Sequence, residues 1–219
     1  MNKTDLQLQH DVEAELRWDP KVNAAHIGVT VTKGAVSLLG GVDTYAEKWA
    51  AEDAAKRVHG VCTIAQDLTV KVRGDHKRSD SELAEYIQAA LKWNVYIPDT
   101  VTAKVENGLV TLSGTVAWNY QRESAERAVR FITGVVKVSN SITLKTQPTV
   151  EQVTEKVQAA LLRQATADAH SIKVATSGGK VTLTGTASSW QSIEDAANAA
   201  WAAPGVTEVR DQVKLSASN

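Results

Sequence analysis

The passage TVAWNYQRESAERAVRFITGV, residues 115–135, decides the fold because nearly the same text occurs three times in this chain. It corresponds to GVDTYAEKWAAEDAAKRVHGV at residues 41–61 and to TASSWQSIEDAANAAWAAPGV at residues 186–206. Glycines recur around these passages with the same spacing, at Gly34, Gly40 and Gly60, at Gly108, Gly114 and Gly134, and at Gly179, Gly185 and Gly205. Equal spacings of this kind indicate a structural unit that is repeated along the chain.

Each unit contains two helical patterns. Apolar residues four apart begin each unit, which places them on one face of a helix: Leu8, Val12 and Leu16, then Leu83, Ile87 and Leu91, then Val153, Val157 and Leu161. Thr4, Ser79 and Thr149 precede these patterns and can accept the unpaired backbone N–H groups of a first turn. The quoted passages are the second helices, whose alanine faces favour close packing on a sheet and whose final glycines are typical helix ends.

The remaining segments alternate apolar and polar residues and predict strands. In VTAKVENGLVTLSGTV the alternation runs on both sides of Asn107-Gly108, a dipeptide that favours a tight hairpin. A third strand follows the second helix, and a strand–helix–strand connection makes the second and third strands parallel. The sequence therefore predicts three α+β domains of order αββαβ, each with two helices on one face of a three-stranded mixed sheet. We call them repeat 1 (1–73), repeat 2 (79–146) and repeat 3 (149–217).

The segments GAVSLLGGV, GLVTLSGTV and GKVTLTGTA, each followed by an alanine-rich helix that ends in Gly-Val, resemble the BON domain. This family is named after an osmotically induced bacterial periplasmic protein and nodulation proteins. The resemblance implies a fold without a catalytic motif, a role in stress response, association with phospholipid surfaces and, in one cytosolic branch, potassium binding. Periplasmic members carry a signal peptide, which the start of this sequence does not show, and the potassium-binding branch carries a LysM domain, which this sequence lacks.

Composition excludes several classes of protein. The formal net charge is −1, so no strong field attracts nucleic acid, and the single cysteine excludes disulfides and multi-thiolate zinc sites. No histidine lies three or four residues from another, so we expect no metal and no cofactor. Cys62 is expected to be a small buried hydrophobic residue. Without a signal peptide or an apolar span, the protein is predicted to be cytoplasmic, or periplasmic if a leader has been removed.

Repeat 2 offers the best candidate for a binding surface. Its second helix carries Arg122, Arg127 and Arg130 near Trp118, and Trp93 with Lys92 ends its first helix. Basic and aromatic residues on a helix favour anionic lipid, so the predicted lipid- or partner-binding residues are Trp93, Trp118, Arg122, Arg127 and Arg130. Two alternatives remain open: an ordinary exposed helix, because Glu123 and Glu126 oppose the arginines, and tryptophans that pack between helix ends and sheet edges and between repeats.

The sequence thus predicts a stress-related, non-enzymatic binding or scaffolding protein. Its predicted partners are anionic phospholipid headgroups or other proteins. The alternative is a cytosolic sensor of osmotic stress that holds a potassium ion with backbone carbonyls at the glycine turns. No arrangement of nucleophile and base supports a hydrolase.

Overall fold

The computed structural model of the protein describes residues 3–145, 153–163 and 171–216. Thr149 and the linker 146–149 lie outside these ranges. The chain divides into two compact units, one formed by residues 1–115 and 121–143 and the other by residues 116–120 and 144–219. The first unit contains repeat 1 and most of repeat 2, and the second contains repeat 3.

Each repeat has the predicted order of helix, strand, strand, helix and strand. Repeat 1 comprises α1 (Asp5–Trp18), β1 (Ile27–Thr32), β2 (Ala35–Val42), α2 (Tyr45–Arg57) and β3 (Thr63–Val70). Repeat 2 comprises α3 (Asp80–Trp93), β4 (Thr102–Glu106), β5 (Leu109–Val116), α4 (Asn119–Arg130) and β6 (Lys137–Leu144). Repeat 3 comprises α5 (Val153–Arg163), β7 (Ile172–Ser177), β8 (Lys180–Ala187), α6 (Trp190–Trp201) and β9 (Glu208–Leu215).

Within the described ranges, nine strands form three separate three-stranded sheets, with the second strand of each repeat in the centre. In repeat 1, β1 is antiparallel to β2 and β2 is parallel to β3, and repeat 3 has the same arrangement. In repeat 2, β4 is antiparallel to β5, and the Val136 N–H donates to the Gly108 carbonyl where β6 begins beside β5. The predicted α+β class with three mixed sheets is confirmed.

The predicted apolar faces of the first helices form the cores. Leu8, Val12 and Leu16 of α1 are buried with Val36 and Leu38 of the central strand. The equivalent residues of α3 and α5 are also buried. Burial of each leucine contributes about 2–3 kcal/mol. Alanines of the second helices lie in the same cores, at Ala50, Ala51, Ala54 and Ala55 in α2 and at Ala196, Ala199 and Ala200 in α6.

A carboxylate at the start of the first helix ties that helix to the hairpin turn in repeats 1 and 2. Asp5 accepts the backbone N–H groups of Lys33 and Gly34 at 2.8 and 3.1 Å. Asp80 accepts those of Asn107 and Gly108 at 2.7 and 3.0 Å. The predicted cap residues also act as expected, because Thr4 and Ser79 each form a reciprocal capping box.

The expectation that Cys62 is buried is wrong. Val61 is buried in the core of repeat 1, whereas Cys62 is exposed. The Cys62 backbone N–H donates to the Gly34 carbonyl at 2.9 Å, which holds the start of β3 beside β2. Because neighbouring residues of an extended chain point to opposite faces, the inward position of Val61 turns Cys62 outward.

Within the described residues, no helix is both long and apolar enough to cross a lipid bilayer.

Candidate interaction surface

An exposed apolar segment follows α3 in repeat 2. Trp93, the last residue of α3, exposes 85% of its surface, and Val95 and Tyr96 expose 90% and 60%. The Asn94 carboxamide oxygen accepts the Tyr96 N–H at 3.0 Å, which fixes the turn that follows the helix. Large apolar side chains that stay in water next to one another mark an interaction site more often than isolated ones do. We call Trp93, Val95 and Tyr96 the repeat-2 patch.

The repeat-2 patch borders an open hollow between α3 and α4. This hollow has a volume of about 490 Å³ and is lined by Ala90, Trp93, Asn94, Val95 and Ala128. Two cations lie beside it in sequence, since Lys92 precedes Trp93 and Arg127 precedes Ala128, and both are exposed. Phe131, just beyond α4, exposes 61% of its surface. The site therefore combines a mainly apolar lining with two exposed cations that are adjacent to lining residues in sequence.

The five predicted site residues have different environments. Trp93 belongs to the repeat-2 patch and lines its hollow, and Arg127 is exposed and precedes the lining residue Ala128. Arg122 is half-buried, and its backbone carbonyl accepts the Asn140 side-chain amide at 3.1 Å. Trp118 is half-buried and precedes α4.

Arg130 has partners inside the first unit, and its side chain is only 14% exposed. It pairs with Glu126 at 2.9 Å, and its guanidinium carbon lies 4.4 Å from the ring centroid of Trp49.

The sequence allowed for tryptophans that pack between repeats, but it did not identify Arg130 as the partner of Trp49. Tyr45 takes part in this contact between repeats 1 and 2: burial raises the pKa of its hydroxyl, the negative charge of Glu126 raises it further, and a hydrogen bond with the Val138 backbone opposes them. Tyr45 and Trp49 are four residues apart, so they share one face of α2. That spacing is the signal from which the contact could have been inferred.

In repeat 1, the place that corresponds to the hollow contains an arginine bound to three carboxylates. Arg57 pairs with Glu15 and Asp19 at 2.8 Å and with Asp53 at 2.9 Å. Hydrogen bonding from the Lys21 backbone and from Arg57 lowers the pKa of the Asp19 carboxyl, although burial opposes this. Partial desolvation lowers the pKa of Arg57, but the bonds to Glu15 and Asp19 outweigh it and raise that pKa. We call these four residues the Arg57 network.

Repeat 3 has an open hollow at the corresponding place. Its volume is about 460 Å³, and its lining is rich in alanine: Glu155, Lys156, Ala159, Ala160, Arg163, Ala199, Ala202, Ala203 and Pro204. Ala160 and Ala202 stand where repeat 1 has Glu15 and Arg57. Arg163 ends α5, where the first helices of repeats 1 and 2 end in an exposed tryptophan.

No metal-binding cluster is found within the described ranges. There, no group of three or more His, Cys, Asp and Glu side chains is arranged to hold a metal ion.

In a comparison with known proteins, one family matches three segments of the chain. The BON domain family matches residues 4–72, 79–146 and 149–217. The osmotically-inducible protein Y of Escherichia coli (strain K12) is 29% identical over 146 residues, which cover 64% of this chain and 73% of that protein.

Two solved structures align with the chain at low overall similarity. CdsD, a structural protein of the type III secretion system of Chlamydia trachomatis, is 16% identical with a TM-score of 0.28, covering 96% of this chain and 92% of that one. The periplasmic domain of the inner-membrane protein PrgH from S. typhimurium is 13% identical with a TM-score of 0.23, covering 87% of this chain and 99% of that one. These scores are too low to support an inference.

Proposed function

Because this chain belongs to the BON domain family, whose domain it contains in three tandem copies, we propose that it is a non-enzymatic protein of the osmotic-stress response that binds anionic phospholipid surfaces. The osmotic-stress role is supported by its similarity to the osmotically-inducible protein Y. One observation supports the lipid-binding role: Trp93 and Val95 are exposed at the end of α3, where the exposed Lys92 precedes Trp93 in the chain.

The repeat-2 patch has the chemistry of a membrane interface. Tryptophan and tyrosine favour the headgroup region because their rings are apolar at one end and polar at the other. Lys92 and Arg127 add attraction to anionic lipid of about 1 kcal/mol each, which salt screens. Such a surface binds reversibly, and the contribution of the two cations falls as ionic strength rises.

The proposed contact surface keeps two of the five residues that the sequence predicts. Trp93 and Arg127 belong to it, together with Lys92, Val95 and Tyr96. Arg130 is left out because its guanidinium already pairs with Glu126 and stacks on Trp49. A charge that is neutralised within the protein contributes less to lipid attraction.

Vesicle co-sedimentation tests this proposal. Wild-type protein is mixed with phosphatidylglycerol vesicles, with phosphatidylcholine vesicles and with no lipid. We expect pelleting with the anionic lipid alone and a loss of affinity of at least about tenfold in the variant Trp93→Ser/Val95→Ser, because two apolar anchors are removed. The matched control is Trp18→Ser, which removes an equally exposed tryptophan from repeat 1. Absence of pelleting in the wild type would exclude the proposed function, and equal pelleting of all variants would exclude the proposed surface.

Potassium binding, a protein partner and a cytoplasmic location remain predictions from the sequence. The first is tested by thermal unfolding in KCl and NaCl at equal ionic strength, where equal melting temperatures argue against a potassium site.

A further inference from the structure

Repeats 1 and 2 both end their first helix in an exposed tryptophan. Trp18 is 83% exposed and Trp93 is 85% exposed. Each is the last residue of a 14-residue helix, and each helix starts with an aspartate that holds the hairpin turn. Exposure of the tryptophan therefore does not distinguish the two repeats, and any difference in binding has to come from the surroundings.

The surroundings differ at four equivalent positions between the two helices. In repeat 1 they are Glu15, Asp19, Asp53 and Arg57, and in repeat 2 they are Ala90, Asn94, Arg127 and Phe131. The turn after the helix is the same in both cases, because Asp19 accepts the Lys21 N–H at 3.0 Å as Asn94 accepts the Tyr96 N–H. The hydrogen bond that fixes the turn is thus shared, and the difference that we consider lies in the side chains around it.

Two physical effects separate the repeats. Ala90 and Asn94 line the open hollow of repeat 2, whereas their equivalents Glu15 and Asp19 are bridged by the Arg57 guanidinium. The side chain of Arg57 therefore occupies the corresponding space in repeat 1. The network also gathers three carboxylates around one guanidinium, one of them on Asp19, which follows Trp18 in the chain, and this excess of negative charge repels anionic headgroups.

We propose that the Arg57 network keeps repeat 1 away from anionic membranes, so that of the two repeats with an exposed tryptophan at the end of the first helix only repeat 2 binds them. This inference rests on the proposed function, and it assigns specificity to Glu15, Asp19, Asp53 and Arg57 rather than to the tryptophan. The pair of Asp19 and Arg57 stays ionised at neutral pH, because the pKa of Asp19 is lowered and that of Arg57 is raised.

The first test removes the Arg57 network from repeat 1 in a variant that lacks two apolar residues of the repeat-2 patch. The starting protein is Trp93→Ser/Val95→Ser, which the proposed function expects to pellet weakly. Residues of repeat 2 are then placed in repeat 1 through Glu15→Ala, Asp19→Asn, Asp53→Arg and Arg57→Phe. We expect pelleting with phosphatidylglycerol vesicles to rise by at least about tenfold, since the repulsion is removed and an apolar surface is added. A further Trp18→Ser substitution should abolish the gain.

The second test introduces the equivalent of the Arg57 network into repeat 2 and leaves Trp93, Val95 and Tyr96 of the repeat-2 patch in place. The substitutions are Ala90→Glu, Asn94→Asp and Phe131→Arg, and Arg127 is unchanged. We expect at least about tenfold weaker pelleting, although Trp93 and Val95 are still present. The control is Gln88→Glu, at an exposed position of α3, because it makes the same net change of one negative charge. Circular dichroism and melting curves establish that each variant is folded.

The outcomes separate the two proposals. If the wild type does not pellet, the proposed function and this inference both fail. If the wild type pellets and the Trp93→Ser/Val95→Ser variant does not, the proposed function stands. Two results would then overturn the inference alone. One is unchanged pelleting of the variant Ala90→Glu/Asn94→Asp/Phe131→Arg. The other is no gain in pelleting when the Arg57 network is removed from repeat 1 in a variant that is folded. If the variant without the Arg57 network does not fold, the repeat-2 variant alone tests the inference, since its three substituted positions are half-buried or exposed.

Discussion

The guanidinium of Arg130 stacks on the indole ring of Trp49, with 4.4 Å between its central carbon and the ring centroid. Trp49 belongs to α2 of repeat 1, and Arg130 is the last residue of α4 in repeat 2. Glu126 binds the same guanidinium at 2.9 Å, which orients it. Repeats 1 and 2 are therefore joined by a specific contact as well as by the chain that links them.

Removal of this stacking should weaken the first unit. We expect Trp49→Ala and Arg130→Met each to lower the free energy of unfolding by about 1 kcal/mol or somewhat more, because the cation lies over a partly desolvated ring. The double variant should lose less than the sum of the two single losses, since either substitution removes the same contact. Thermal and urea unfolding measure these values. Trp18→Ala is the control at an exposed tryptophan, and additive losses would show that the two residues are not coupled.

The repeated unit could be predicted from the sequence because its signals are local. Apolar residues four apart, such as Leu83 and Ile87, define a helix face without reference to the rest of the chain, and Asn107-Gly108 defines a turn by its backbone preferences alone. The strand order then followed from the direction in which a helix connects two strands.

The candidate site could be predicted only in part because its decisive contacts join distant residues. Arg57 meets Asp19 across 38 positions, and Trp49 meets Arg130 across the boundary between two repeats. Charged side chains on helices are normally solvated, so the pattern alone gave no reason to bring Glu15, Asp19 and Asp53 around one guanidinium. The same limit applies to the arginines of α4, where spacing does not show which cation is neutralised by a neighbour and which is exposed.

The carboxylate of Asp80 should contribute strongly to the stability of repeat 2. It accepts two backbone N–H groups of the hairpin turn, at Asn107 and Gly108, and Asn107 has a positive φ of 51°. We expect Asp80→Ala to lower the free energy of unfolding by about 2–3 kcal/mol, because hydrogen bonds to a charged acceptor are lost. Glu85→Ala, at an exposed position of the same helix, should change it by less than about 0.5 kcal/mol. Equal effects in urea unfolding would contradict this role for Asp80.

The Arg57 network should make stability depend on pH in the acid range. The pKa of Asp19 is lowered from its ordinary value of 3.8, first by the Lys21 backbone N–H and also by Arg57. Because the folded pKa lies below the unfolded one, the contribution is complete at neutral pH and is lost as the pH falls through the folded pKa. Arg57 stays protonated throughout, so within the pair of Asp19 and Arg57 only the carboxyl group titrates in this range.

Asp19→Asn should therefore cost about 1–2 kcal/mol at pH 7, and this difference from the wild type should shrink below about pH 4. Urea unfolding at pH 7, 5 and 3 measures it. Asp67→Asn, on an exposed position of β3, is the control and should show little difference at any pH. A cost of Asp19→Asn that is the same at pH 3 and pH 7 would show that ionisation of this carboxyl group does not stabilise repeat 1.

The glycine near the end of the second strand is fixed by backbone geometry in every repeat. Gly40, Gly114 and Gly185 have φ values of 124°, 132° and 123°, a conformation that other residues rarely adopt. A Cβ atom on Gly40 would also overlap the His26 carbonyl oxygen, and the equivalent overlaps involve Thr100 in repeat 2 and Ser171 in repeat 3. We expect Gly40→Ala to lower the free energy of unfolding by about 3 kcal/mol or more, because both the strain and the overlap have to be relieved.

Gly28→Ala is the matched control because it lies in the same hairpin. Gly28 pairs with Leu39, one position from the pair of Ile27 and Gly40, but its backbone lacks the positive φ. The nearest atom to an added Cβ is 3.8 Å away, which is ordinary van der Waals contact. The control should therefore change the free energy of unfolding by less than about 1 kcal/mol. Similar melting temperatures for the two alanine variants would show that the glycine spacing shared by the three repeats has another cause.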